Sequence, residues 1–208
     1  MNDIKIKLLL LLSIAIILAG CQNSTSKSDV SIDSTGNQTE AYESGELVDE
    51  GNYYKVYKNE DLYCYLIFNN KEELAYKEYC YSYPNINLTS NTILQIRRGA
   101  GTGTWYCSYF DISTLTQSST YYGAFHIKEQ YIAYVEEQEG ELQVKICDAF
   151  IPGKYEFVFK GDLNTDVANY WTILKSIDYI DDSHLSIEYL NSKGEFVTNS
   201  VRVPPLGV

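Results

Sequence analysis

The sequence predicts an all-β domain of antiparallel strands, and three observations lead to that prediction. Apolar and polar residues alternate over short segments, turn residues separate these segments, and stretches with helical periodicity are scarce. Alternation with a period of two places successive side chains on opposite faces of a strand. Because short strands joined by tight turns form antiparallel meanders, this is the architecture we expect.

Three segments show the alternation most clearly, and each predicts a strand with one buried face. Their apolar positions are Leu142, Val144 and Ile146, then Tyr155, Phe157 and Phe159, then Leu185, Ile187 and Tyr189. Two continuous apolar runs, 63–68 and 131–135, predict strands that are buried on both faces. Turn signals at 139–140, 152–153, 181–183 and 193–194 separate the strands.

The order of these strands leaves the topology open between a meander, a partial β-propeller-like arrangement and a β-sandwich. Residues 127–146 and 177–203 show a similar order of strands and turns, which resembles the blades of a β-propeller. The domain supplies only three or four such blades, at the lower limit for that fold. We expect one short helix at 166–174, capped by Asp166, while 71–79 fits either a helix or a strand.

The N-terminus has the organisation of a secretory signal peptide. Lys5 and Lys7 precede an apolar run over 8–18 that only Ser13 interrupts. As a helix this run is about 17 Å long, whereas a hydrocarbon core is about 30 Å thick. We therefore expect residues 1–20 to direct export and not to form a lasting transmembrane helix.

The four residues Leu18-Ala19-Gly20-Cys21 follow this run and resemble the lipobox of bacterial lipoproteins. The resemblance implies that Cys21 receives a diacylglyceryl group and becomes the first residue of the mature protein. Two acyl chains, palmitate for example, give stable anchoring. The resemblance also implies a lipid-anchored protein on the extracytoplasmic face of the cell membrane. The excess of lysine over arginine is compatible with a Gram-positive host.

Residues 21–50 are predominantly polar and cannot bury enough apolar surface to order themselves. The predicted organisation is therefore a signal peptide over 1–20, a flexible tether over 21–50 and an all-β extracytoplasmic domain over 51–208. A disordered tether of this length separates its ends by about 30 Å. The domain would thus stand away from the bilayer.

The charge of the chain excludes one class of partner. The formal net charge is −12, and loss of Lys5, Lys7 and Asp3 with the signal peptide makes it −13. Such a chain is repelled by nucleic-acid phosphates, so we expect no nucleic-acid partner. It is also repelled by anionic headgroups, so the lipid on Cys21 must provide the membrane attachment.

Four cysteines remain after Cys21, and their redox state is open from the sequence. An even number in an exported protein permits two disulfides in any of three pairings. Free, buried thiols are the alternative. The cysteines are Cys64, Cys80, Cys107 and Cys147.

Motifs for catalysis, cofactors or metals are weak. The glycine-rich segment 99–104 precedes an aromatic segment that predicts a strand, so a hairpin fits better than a phosphate loop. Asp162, Asn164 and Asp166 have the initial spacing of a calcium loop, but its later glycine and glutamate are missing. His126 and His184 are too isolated to indicate zinc or a triad. We predict no catalytic, cofactor or metal site.

Tyrosine is the remaining feature, with 20 residues. Exposed tyrosines stack on sugars and anchor protein interfaces, although tyrosine also suits strands, which accounts for most of the 20. Several of them are adjacent or alternate along the chain: Tyr53 and Tyr54, then Tyr79, Tyr81 and Tyr83, then Tyr121 and Tyr122.

The predicted function is a membrane-anchored, non-catalytic binding or interaction domain of unknown ligand, with an envelope protein or a glycan as the partner. A hydrolase acting on cell-wall or glycan polymers is one alternative, and a cleft with two carboxylates about 5 to 9 Å apart would favour it. An accessory subunit of an envelope assembly is the other. An exposed apolar patch of several hundred Å² would favour that alternative.

Overall fold

The computed structural model of the chain describes residues 45–101 and 103–206. The expected signal peptide, the lipid-bearing Cys21 and residues 21–44 of the expected tether lie outside the described residues. Within the described ranges, no helix is long and apolar enough to cross a membrane.

The described residues form sixteen antiparallel strands in four sheets that follow one another along the chain. The first sheet contains β1 (Glu46–Gly51), β2 (Tyr54–Asn59), β3 (Leu62–Phe68) and β4 (Leu74–Cys80). The second contains β5 (Asn85–Leu88), β6 (Ile93–Gly101), β7 (Thr104–Asp111) and β8 (Thr116–Gln117), with β9 (Tyr121–Tyr122) also paired to β7. The third contains β10 (Phe125–Lys128), β11 (Tyr131–Gln138), β12 (Glu141–Asp148) and β13 (Glu156–Phe159). The fourth contains β14 (Leu174–Asp181), β15 (His184–Leu190) and β16 (Phe196–Arg202).

The predicted all-β antiparallel meander is confirmed, and neighbouring sheets share apolar cores in a sandwich-like manner. One cluster joins the first and second sheets and includes Tyr65 and Phe110. The next joins the second and third sheets around Tyr109 and Ile132. The largest cluster joins the third and fourth sheets. Within the described ranges no propeller is recognisable.

The two continuous apolar runs form strands that are buried on both faces, as predicted. In β11, Ile132 lies in the cluster shared with the second sheet, whereas Ala133 and Val135 lie in the cluster shared with the fourth. In β3, Tyr65 faces the second sheet, while Leu66 belongs to a small cluster on the outer face of the first sheet. Both runs lack the usual polar alternation because each of their faces contacts other side chains.

Residues 46–50, which we assigned to the tether, are in strand β1 instead. Glu46 lies opposite Lys58 and Glu50 lies opposite Lys55 in the register with β2. Opposite charges on directly paired positions stabilise neighbouring strands. The polar composition that indicated a tether is therefore the composition of a solvated edge strand.

The predicted helix at 166–174 is also wrong, because only a short 3₁₀ turn, η1 (Tyr170–Thr172), forms there. Asn169, and not Asp166, caps this turn by accepting a hydrogen bond from the Trp171 amide. The Asp166 amide instead donates to the side chain of Asn164 at 2.9 Å. A local side-chain acceptor thus replaces the helical bond at this position. The ambiguous segment 71–79 contributes to strand β4.

The structure favours free thiols over disulfides. All four described cysteines are buried and unpaired: Cys64, Cys80, Cys107 and Cys147. Burial raises the pKa of each thiol, and that of Cys147 to about 11. Thiolate is the reactive form, so these cysteines behave as small apolar residues at neutral pH.

Candidate functional site

A cleft of about 540 Å³ lies where loops of the second and third sheets meet, and we call it the loop cleft. Its volume is within the range of about 300 to 1,000 Å³ that is typical of ligand sites. The second sheet contributes Ser90, Asn91, Thr92, Ile93, Asp111, Thr114 and Thr116. The third sheet contributes Glu129, Gln130, Asp148, Phe150, Ile151 and Lys154.

The order of strands along the chain produces this arrangement. The β5–β6 and β7–β8 connections leave the second sheet, and the β10–β11 and β12–β13 connections leave the third sheet. The core that contains Ile93, Ala149 and Cys147 packs the two sheets together beneath these loops. The cleft therefore lies on a rigid base while its walls are loops, which is a common arrangement for binding sites.

Asp148, at the end of β12, is the most buried charged residue of the cleft, with a side chain only 1% exposed. Its Oδ1 atom accepts the amides of Phe150 and Ile151, at 2.9 and 3.0 Å, and so fixes the β12–β13 loop. Its Oδ2 atom is buried and accepts no hydrogen bond from the described residues. Lys154 Nζ lies 3.8 Å from Oδ2, which is an ion pair without a hydrogen bond.

Asp111, at the end of β7, organises the opposite wall. Its carboxylate accepts hydrogen bonds from the amide and hydroxyl of Ser113 and from the hydroxyl of Thr114. Burial alone would raise the pKa of Asp111, but these hydrogen bonds outweigh it and lower the pKa. Asp111 is therefore ionised at neutral pH.

The chemistry of the lining is polar and net acidic. Three carboxylates, from Asp111, Glu129 and Asp148, face one ammonium group, from Lys154. Hydroxyls and side-chain amides supply further donors and acceptors, and only three side chains of the lining are large and apolar. Such a wall suits an uncharged or cationic ligand with many hydrogen-bonding groups, and it repels an anion.

Comparison of this chain with known protein families, curated proteins and solved structures gave no significant match.

The tyrosines separate into buried and exposed groups. Tyr65 and Tyr109 are in the core, while Tyr54 is half-buried and donates to Asp49. Half-buried Tyr121 donates to the Ala149 carbonyl at 2.8 Å. The exposed members are Tyr79, Tyr81, Tyr83 and Tyr122. None of the tyrosines in the described ranges lines the loop cleft.

One exposed tyrosine belongs to a row of aromatic rings. Tyr122 stacks on Trp171 with ring centroids 4.7 Å apart and planes 19° apart. Tyr106 extends the row on one side and Tyr170 on the other. These contacts attach η1 to β9 of the second sheet, so the row is explained by packing.

The remaining sequence candidates are explained by local structure. His184 contacts Asp181 at 3.0 Å, and His126 Nε2 lies 2.7 Å from the Glu129 carbonyl. Asp162 accepts a hydrogen bond from Ser192. In the described part of the chain, no three His, Cys, Asp or Glu side chains are grouped closely enough to hold a metal ion. The glycine-rich segment meets the predicted hairpin, because Gly99 pairs with Trp105 and Gly101 pairs with Thr104 between β6 and β7.

Sequence reasoning missed the loop cleft, although one signal was present. Asp111 and Asp148 each end an apolar strand and precede a turn, and Asp is the residue type that accepts amides of a following turn. The sequence does not show that the two turns belong to adjacent sheets. That proximity depends on how the second and third sheets pack.

Proposed function

We propose that this chain is a lipoprotein, anchored by lipid on Cys21, whose β domain binds a glycan in the loop cleft without altering it. The chemistry of the residues that line the cleft supports this proposal. A sugar presents many hydroxyls, each of which donates and accepts hydrogen bonds, so its site needs both kinds of group. Carboxylates, amides and hydroxyls supply them here, beside the apolar surface of Phe150 and Ile151.

The expected location supports a glycan of the cell envelope as the ligand. Export and lipidation, as the lipobox-like segment implies, would hold the domain outside the membrane, where wall polymers lie. The acidic chain disfavours anionic polymers through charge repulsion. Neutral and cationic glycans are therefore the compatible classes.

A hydrolase is the second candidate, because three carboxylates line the cleft. Glycoside hydrolysis needs one carboxyl group that carries a proton and a second that is ionised. The lowered pKa of Asp111 makes it unsuitable as the proton donor at neutral pH. Release of new reducing sugar ends from a wall polymer would favour the hydrolase over the binding domain.

Blocking the cleft tests the proposal. Ile151 is 51% exposed at the cleft, so Ile151→Trp should fill the binding space without disturbing the core. Ile180→Trp is the matched control, since Ile180 is 54% exposed on β14 and does not line the cleft. Both are made in the mature chain with Cys21→Ser, and co-sedimentation with purified wall glycan is measured.

We expect the Ile151→Trp protein to lose most of its sedimenting fraction and the Ile180→Trp protein to sediment like the parent. Equal sedimentation of all three proteins would place binding elsewhere on the domain. No sedimentation of the parent protein would contradict glycan binding itself.

A further inference from the structure

We infer that the loop cleft selects glycans that carry a free ammonium group and that Asp148 is the carboxylate that receives it. This inference rests on the proposed function, because it names the chemical class of the ligand for the same cleft. The inference is based on three observations: the hydrogen bonding of Asp148, the position of Lys154 and the charge of the residues that line the cleft.

The first observation is the uneven use of the two Asp148 oxygens. Oδ1 accepts two backbone amides, whereas buried Oδ2 accepts no hydrogen bond from the described residues. A buried carboxylate oxygen without a donor is unfavourable, and buried polar atoms are nearly always paired. A ligand that donates to Oδ2 would remove this penalty and gain affinity from it.

The second observation is that Lys154 satisfies Oδ2 poorly. Its Nζ atom lies 3.8 Å away, beyond hydrogen-bonding distance, and its side chain is 50% exposed. A flexible, half-exposed lysine loses little when it turns to solvent. A ligand ammonium has the same charge and three donors, so it can take the place of Nζ at a shorter distance.

The third observation is the surrounding charge. Asp111 and Glu129 line the same cleft as Asp148, so carboxylates outnumber the single lysine of the lining by two. This excess favours a cation over a neutral group of the same size. Because the described acidic side chains do not form a group of metal-binding geometry, an organic cation fits better than a metal ion. A glycan presents such a cation as the amine of an amino sugar without its acetyl group.

Two disaccharides that differ only in this group test the inference. Glucosamine disaccharide carries ammonium groups, and N-acetylglucosamine disaccharide carries amides at the same positions. Affinity for each is measured by calorimetry with the mature chain carrying Cys21→Ser. The variants are Asp148→Asn, which keeps the Oδ1 acceptor for the loop, Lys154→Met, which removes the competing ammonium, and Glu195→Gln, a control that does not line the cleft.

We expect the parent protein to bind the glucosamine disaccharide more tightly than the acetylated one. Asp148→Asn should weaken glucosamine binding by about tenfold or more, as expected for loss of a hydrogen bond to a charged group. Lys154→Met should strengthen it, and Glu195→Gln should leave it unchanged. Affinity for the acetylated disaccharide should be similar in Asp148→Asn and the parent, which also verifies that the variant is folded.

The contrary results distinguish a failure of the ammonium inference from a failure of the proposed glycan binding. Equal affinity for the two disaccharides, or equal loss in Asp148→Asn and Glu195→Gln, would overturn the ammonium inference and leave glycan binding intact. Binding of neither disaccharide, together with no binding of wall glycan, would overturn both.

Discussion

At the residue scale, the contact between the first and second sheets depends on a buried charged group. Arg98 Nη1 lies 2.5 Å from Glu78 Oε1, and Tyr76 donates to the other oxygen of the same carboxylate at 3.0 Å. Tyr65 donates to that oxygen as well. Glu78 is on β4 and Arg98 is on β6, so this cluster of polar atoms joins two sheets that also share an apolar core.

Removing one partner of this cluster should be costly. Arg98→Leu leaves Glu78 without its counter-charge, and breaking a buried pair in this way costs about 3 to 5 kcal/mol. Because the Glu78 side chain is 27% exposed, we expect a loss of stability at the lower end of this range, about 3 kcal/mol. Urea unfolding measures the change. Arg97→Leu is the matched control, because the neighbouring Arg97 is exposed and stacks on Trp105.

The same carboxylate makes stability depend on pH. Burial alone would raise the pKa of Glu78, but hydrogen bonds from Tyr65 and Arg98 outweigh it and lower the pKa below the ordinary 4.5. The folded state therefore releases this proton more readily than the unfolded chain. The resulting stabilisation is complete above pH 4.5 and is lost as the pH falls through the folded value. The acid-induced loss should be smaller in Arg98→Leu, and an unchanged slope would contradict this role of Arg98.

At the element scale, the attachment of η1 to the second sheet depends on a glycine. Gly123 follows β9 with φ +59°, and a Cβ atom at this position would lie 2.8 Å from the Trp171 carbonyl oxygen. This close approach allows Tyr122, the preceding residue, to stack on the Trp171 ring. The backbone at position 123 thus sets the position of η1.

Gly123→Ala should therefore separate η1 from β9. We expect a destabilisation of about 1 to 3 kcal/mol and a changed near-ultraviolet circular dichroism signal from Trp171. Gly140→Ala is the control, since Gly140 has φ +83° but nothing within 4 Å of an added Cβ atom. If the two substitutions lower stability equally, backbone strain alone explains the loss of stability. That result would contradict the role of the Trp171 contact.

The elements also show what the sequence can and cannot predict. Strands with clear alternation, such as the one with Leu185 and Ile187, follow from the period of their own residues. Strand β1 does not, because an edge strand rich in Glu and Asp has the composition of a tether. Asp111 and Asp148 are predictable as turn residues, but their common cleft depends on sheet packing between residues distant in sequence.

At the scale of the whole molecule, the proposed lipid on Cys21 would be the one attachment of the proposed binding domain to the membrane. Cys21→Ser removes the sulfur that the lipobox-like segment would present for acylation. We expect the variant to leave the membrane fraction or to retain its signal peptide, since the net charge of −12 gives no electrostatic attachment to anionic lipid. Fractionation and electrophoresis of whole cells measure both. Wild-type fractionation and migration of the variant would contradict lipid anchoring.

Nuclear magnetic resonance shows whether a glycan binds in the loop cleft. The mature chain with Cys21→Ser, labelled with ¹⁵N, is titrated with soluble fragments of wall glycan while its amide shifts are followed. We expect the largest shifts at the two walls of the loop cleft, around Thr92, Asp111 and Phe150. Shifts concentrated at the aromatic row of Tyr122 and Trp171, or no saturable shifts, would contradict glycan binding in the loop cleft.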